Sequence, residues 1–175
     1  MGPDKLLVLQ YHSGDKSATT ETETRVQEYG VRSFPTMIFN GEEVVRGSAS
    51  SSSSYEKYKT IINRESLEVS VVSLKAVQNI SGNSLSLDVN IENLSETDIT
   101  NAVLMAVTYE DLGTEKQHYV VRKIMPSDVI TISYRQSKTF NLTADYTYSP
   151  THLKAVVFLQ LTSGPILQST LAAAQ

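Results

Sequence analysis

Residues 85–91 alternate without a break: Leu85, Leu87, Val89 and Ile91 are apolar, and Ser86, Asp88 and Asn90 are polar. Successive side chains of an extended chain point to opposite faces, so a period of two marks a half-buried strand and argues against a helix. From Leu67 onward the whole chain has this texture. Strand-like runs cover 67–79, 84–94, 100–113, 117–125, 137–145, 152–164 and 165–174. Turn formers separate them: Ser81-Gly82-Asn83, Asp111-Leu112-Gly113, Pro126-Ser127-Asp128, Ser149-Pro150 and Ser163-Gly164-Pro165. Seven short strands over about 110 residues predict a two-layer, immunoglobulin-like or fibronectin-type β-sandwich over residues 66–175.

Residues 1–65 read differently. The run 5–12, "KLLVLQYH", has strand length and predicts a strand covered on both faces. A helix follows, with Thr19 or Thr20 as N-cap and Glu23 placed to close a capping box with Thr20. Gly30 suits the position just past its end. "TMIFN" (36–40) predicts a strand, Asn40-Gly41 a type I′ turn, and "EVVRG" (43–47) the returning strand. The serine run Ser50–Ser54 caps a second helix over 55–65. There Tyr55, Tyr58, Ile61 and Ile62 share a face. The expected class is therefore α+β followed by all-β, a βαββα segment and then a sandwich.

Bulk chemistry excludes several functions. Fifteen Lys and Arg against nineteen Asp and Glu give a net charge of −4 with no basic stripe, so the footprint of a nucleic-acid binder is missing. No apolar run approaches the ~20 residues that span a bilayer as a helix. The 175 residues include no cysteine, which removes disulfides, thiol nucleophiles and zinc–thiolate sites from this chain. Met1-Gly2-Pro3 begins no signal peptide, because no apolar stretch follows a basic start.

The stretch "YGVRSFPTMIFNGE" (29–42) resembles the thioredoxin fold from its third helix through the cis-proline loop into the following strand. The resemblance implies a cis bond before Pro35 and a peptide-binding loop at Phe34, Pro35 and Thr36. The order β, α, β, β, α matches only the C-terminal half of that fold; the half that carries C-x-x-C is expected to be missing, cut away or lost. Tyr11-His12…Asp15, Pro35–Gly41, "AVVFLQ" (155–160) and "ILQS" (166–169) together resemble bacterial envelope lipoproteins that join a thioredoxin-like domain to a C-terminal Ig-like β-sandwich. That resemblance implies an exported protein of the cell envelope or extracellular space. It also implies domains at 1–65 and 66–175.

Other candidate chemistry is sparse. His12 and Asp15 lie three apart at a strand end, a polar pair too small to specify a metal or acid–base site. His118 reads as a strand residue and His152 as an exposed strand start. Ser50–Ser54 lacks a nucleophile elbow. Three N-glycosylation patterns start at Asn79, Asn93 and Asn141, and are idle in a bacterial chain. No catalytic residue, metal site or cofactor is expected. The expected function is a non-catalytic binding or interaction module with a protein or peptide partner. The alternative is the C-terminal portion of a thiol-disulfide oxidoreductase whose catalytic half lies elsewhere. A homodimer is expected as well, because strands 5–12 and 36–40 would lack the neighbour that lies between them in a complete thioredoxin sheet.

Overall fold

The computed structural model describes residues 6–113, 118–147 and 152–175. It is rich in β-structure: ten strands fall in three sheets, with two helices among the described residues. The chain runs α1 (Thr20–Glu28), β1 (Thr36–Phe39), β2 (Glu43–Arg46), α2 (Ser51–Glu65), β3 (Val72–Ser81), β4 (Ser84–Asn93), β5 (Ile99–Glu110), β6 (Val120–Ile132), β7 (Ser137–Asp145), β8 (Leu153–Leu161), β9 (Ile166–Leu171) and β10 (Ala173–Ala174).

β3 to β10 form a two-sheet body, one sheet ordered β10-β3-β4-β7 and the other β6-β5-β8-β9. The alternation that marked residues 85–91 holds, since Leu85, Leu87, Val89 and Ile91 are all buried between the sheets. Leu104, Ala106, Val157 and Leu159 meet them from the opposite sheet. The body has eight strands where seven runs were expected: the last run bends after Leu171, leaves β8 and pairs β10 with β3 in parallel.

The turn expected at Pro126-Ser127-Asp128 lies instead inside β6. β6 is an edge of its sheet, where a proline removes no needed ladder bond. The register slips there, and the Leu104 N–H donates to Ser127 Oγ at 3.0 Å in place of a strand partner. The turn expected at Ser149-Pro150 lies outside the described residues.

The front of the chain departs most from expectation. Residues 6–12 are an extended arm and not a sheet strand. Their ladder contact is one parallel bridge, Gln10 to Val120, with Gln10 N–H donating to the Tyr119 carbonyl (2.9 Å) and Val121 N–H to the Gln10 carbonyl (3.1 Å). Tyr119 takes a positive φ of 56° at that contact. The arm goes there because β5 and β8 are apolar on their outer face too. Met105, Val107, Tyr109, Val156 and Phe158 form a second buried cluster, and Leu7, Leu9 and Tyr11 pack on it.

α1 is capped by Thr19, whose hydroxyl accepts from Thr22 N–H while Thr22 Oγ1 accepts from Thr19 N–H. The box thus uses Thr22 and not Glu23. Gly30 follows in the left-handed region, φ +60°. β1 and β2 pair around Asn40 and Gly41, both at positive φ as a type I′ turn requires. The serine run does cap α2, through Ser50, but the helix starts at Ser51, inside the run and four residues ahead of the expected start. Of the apolar face expected on α2, Ile61 is buried and Tyr58 stacks on Phe39 at 5.6 Å, while Tyr55 stays exposed.

Asn93 is the polar centre of the body. It is 1% exposed; its amide donates to the carbonyls of Thr97 (2.8 Å) and Ile132 (3.0 Å), and its oxygen accepts from Ser95 N–H (2.9 Å). That burial also closes the Asn93 glycosylation pattern to any enzyme. Asn93→Ala strands the buried Ile132 carbonyl and the half-buried Ser95 N–H and is expected to cost about 2 kcal/mol, measured by urea unfolding, against under 1 kcal/mol for Asn79→Ala on the exposed surface.

Candidate functional site

The arm, α1 and the tip of the β1–β2 hairpin close over the outer face of sheet β6-β5-β8-β9 without filling it. Between α1, the hairpin and the sheet a cleft of about 790 Å³ remains. Its floor is the sheet, through Val103, Met105 and Ile124. Its rim carries Glu21, Thr24 and Glu28 of α1 on one side, and Ser127, Thr162 and Ser163 of the body on the other. An apolar floor under a rim of hydroxyls and carboxylates can take an apolar group and orient it by hydrogen bonds.

One polar knot holds this cleft in shape. The Arg25 side chain is 12% exposed, and its guanidinium lies over the Tyr29 ring at 4.4 Å. It donates to Glu28 (3.0 Å), to Tyr29 Oη (2.8 Å) and to the side-chain oxygen of Gln160 on β8. Gln160 returns an amide hydrogen bond to Tyr29 Oη (3.2 Å) and one to the Gly164 carbonyl (2.5 Å). Tyr11 packs beside Arg25, and burial pushes its phenol well above the ordinary tyrosine range, so it stays neutral. Arg25 Nε is buried without a hydrogen-bond partner among the described residues.

The hairpin tip is fixed to the same place. The Ile166 N–H donates to the Asn40 carbonyl at 2.8 Å. Gly41 sits against Gly164 so closely that a Cβ there would collide with the Gly164 carbonyl and stand 2.8 Å from Gln160 Nε2. Sequence reasoning missed Arg25, Tyr29 and Gln160 as a group. The one signal was Gln160, a polar residue inside the apolar run 155–161.

The sequence-predicted residues fall elsewhere. His12 and Asp15 do meet, Nδ1 to Oδ2 at 2.6 Å. That hydrogen bond, with the Ser17 N–H, holds the Asp15 carboxyl below the ordinary range. Next to them the Ser13 hydroxyl and the Gly14 N–H hold Glu23 low in the same way (both 2.7 Å). Together these bonds tie the arm to α1. Among the described residues no group of three or more His, Cys, Asp or Glu could hold a metal ion. The loop at Phe34, Pro35 and Thr36 has the cis bond that the resemblance implied. Phe34 is 60% exposed, the Pro35 carbonyl accepts from Gly47 N–H (2.8 Å), and Thr36 Oγ1 donates to the Ser33 carbonyl (2.7 Å). The cleft does not include this loop.

Two outcomes follow from this geometry. Gly41→Ala combines a left-handed backbone with a backbone collision and is expected to lose about 2 kcal/mol, lowering Tm by roughly 4–8 °C. Gly82→Ala, also at positive φ but with open space around it, should lose less than half as much. Equal losses would mean the hairpin tip is not pressed on the body.

The second outcome concerns acid. Asp15 and Glu23 have depressed folded values, so their contribution is present above the unfolded carboxylate range, near pH 4, and is lost as pH falls through the folded values. The hydrogen-bonded chemical shift of the Gly14 amide should therefore persist at about pH 4 and be lost only as pH falls further, through the depressed folded value of Glu23. In Glu23→Gln that shift should be lost at neutral pH already.

No family model matches the chain, and no curated protein is similar to it in sequence. Solved structures align only loosely. The Pseudomonas fluorescens alkylpurine DNA glycosylase AlkC, bound to DNA containing an abasic site analog, aligns over 70% of this chain and 35% of its own, at 13% identity and a TM-score of 0.40. Bacteroides uniformis β-glucuronidase 2 aligns over 57% of this chain and 12% of its own, at 13% identity and a TM-score of 0.38. A β-glucosidase from Kluyveromyces marxianus aligns over 61% and 15%, at 10% identity and a TM-score of 0.37. Each neighbour is thus several times longer than the matched part, and likenesses this shallow carry neither a family nor a function to this chain.

Proposed function

We propose that this chain is a non-catalytic binding module of an exported bacterial protein, and that the cleft between α1 and the outer sheet face receives an apolar side chain of a protein partner. The observation that carries the proposal is the cleft itself: an apolar floor on β5 and β6, braced by the Arg25–Tyr29–Gln160 knot. A braced cleft is already ordered before a partner arrives, so less entropy is lost on binding. The order α1, β1, β2, α2 supports a partial thioredoxin-like segment, and the two facing four-stranded sheets, antiparallel except for the short β10–β3 pair, support an Ig-like sandwich behind it. With no cysteine among these 175 residues, thiol-disulfide exchange would have to come from residues outside them, upstream or on another chain.

The expected homodimer rested on two strands without neighbours. The apolar side chains of one of them, the arm, are packed on the same chain's own body. Sedimentation equilibrium at micromolar concentration reads the outcome, and a mass near 19.3 kDa throughout excludes the dimer.

The binding reading is tested by selection from a displayed peptide library. Enriched peptides should share an apolar residue, and they should lose at least about tenfold in affinity on Thr24→Trp, which fills the rim from an exposed position. No enrichment, or binding indifferent to that substitution, would refute the cleft as the site.

A further inference from the structure

β1 has a partner on one side only. It pairs with β2, and among the described residues no other strand joins that two-stranded sheet. The donors and acceptors can be assigned to sides. The Gly47 N–H bonds the Pro35 carbonyl, and the Glu42 N–H bonds the Phe39 carbonyl, so Pro35, Met37 and Phe39 turn their backbone groups toward β2. Backbone direction alternates along a strand, so Thr36 and Ile38 turn theirs the other way. Neither makes a backbone hydrogen bond on that side with a described residue. The next residue of that set, Asn40, already uses its carbonyl there, accepting from Ile166 N–H at 2.8 Å. The open edge is therefore a short ladder, closed at its Asn40 end by the body and unfilled at Thr36 and Ile38.

Edges of this kind are usually blunted by charge or by a bulge. This one is the apolar run Thr36-Met37-Ile38-Phe39, with neither. The Asn40 end has carboxylates beside it, with Glu43 opposite Phe39 and Glu65 on Asn40, while the open Thr36 end is flanked by cations. Arg46 is the cross-strand partner of Thr36, and Arg32 lies two residues before Phe34. Both arginines are exposed, and neither forms an ion pair with a described residue. Exposed Phe34 stands between them in the chain. In a chain of net charge −4, two unpaired cations beside an open apolar edge select against a second copy of the same edge. A second copy would bring its own Arg32 and Arg46 to the same spot.

We propose that the open edge of β1 accepts an extended, acidic segment of a partner polypeptide as an added strand. Thr36 and Ile38 supply the backbone ladder, as in other cases of strand addition. Thr36 and Ile38 share a face, so the register sets the pattern of the guest. An apolar residue lies opposite Ile38, and an acidic residue two positions along lies opposite Thr36, within reach of Arg46. Phe34 covers the end of the guest. This surface is separate from the cleft and does not depend on it.

The test uses the intact chain and labelled synthetic peptides, read by fluorescence anisotropy. The probe is T-V-T-E-T-E-T, and the controls replace its glutamates by lysine or N-methylate alternate amides. The acidic peptide should bind at least about tenfold more tightly than the lysine peptide at low salt, and the preference should shrink as salt rises. N-methylation should weaken binding by a similar factor, because it removes ladder hydrogen bonds and leaves the charge intact. Arg32→Glu with Arg46→Glu changes only exposed side chains and should reverse the preference toward lysine, while Thr24→Trp in the cleft should change nothing. The proposal is overturned if the acidic peptide does not bind, if N-methylated peptide binds equally, or if inorganic polyphosphate competes as well as the peptide. It is equally overturned if the chain self-associates through this edge and the double arginine substitution strengthens that association.

Discussion

β5 and β8 are apolar on both faces, and a strand of that kind needs cover on each side. The inner side is provided by the second sheet of the body. The outer side, where Met105, Val107 and Phe158 would otherwise face water, is covered by the front of the chain. The rest of the arrangement depends on this one burial. It draws the arm onto the sheet and brings α1 alongside, so that Arg25 and Gln160 meet across the seam. It also sets the hairpin tip against the β8–β9 turn, where only glycine fits at position 41.

The seam shows how polar groups are arranged where two halves of a chain meet. Gln160 lies on the outward face of β8 among apolar neighbours, and a buried amide without partners there would be costly. Arg25, Tyr29 and the Gly164 carbonyl provide those partners. Arg25 in turn needs Glu28 and the Tyr29 ring, since a guanidinium that is 12% exposed has little water to fall back on. The knot stabilises one docking geometry more than it adds net stability, because breaking a buried charged network costs more than its formation contributes. A fixed geometry is what leaves a cleft of definite shape between α1 and the sheet.

Much of the body was legible in the sequence. The period of two over 85–91 placed four core residues, and the turn formers placed most strand ends. Asn40-Gly41 and Gly30 named a turn and a helix end from local chemistry alone, and the run Ser50–Ser54 held the cap of α2 without fixing which serine it was. Pro126 misled, because a proline reads as a turn unless the strand is known to be an edge, and edge position is a property of the whole sheet. The arm misled for a related reason: "LLVLQYH" has the composition of a strand, but whether it finds a ladder depends on which neighbours are available. The continuous apolar runs at 102–107 and 155–159 did carry the signal of double-sided burial, unlike the clean alternation of 85–91. What no local pattern could supply was the partner for that second face, and so the meeting of Arg25 with Gln160, 135 residues apart.

If the outer sheet face and the front of the chain bury one another, the two halves should unfold together. The chain has no tryptophan, so Phe39→Trp places a single reporter in the front half beside Tyr58. Its fluorescence can be followed during urea unfolding alongside the far-ultraviolet dichroism of the body. The mutual-burial account predicts one midpoint and one slope for both signals. A tryptophan transition that is complete while the strand signal is still native would contradict it, and would make the front half an independent unit resting on a body that is stable without it.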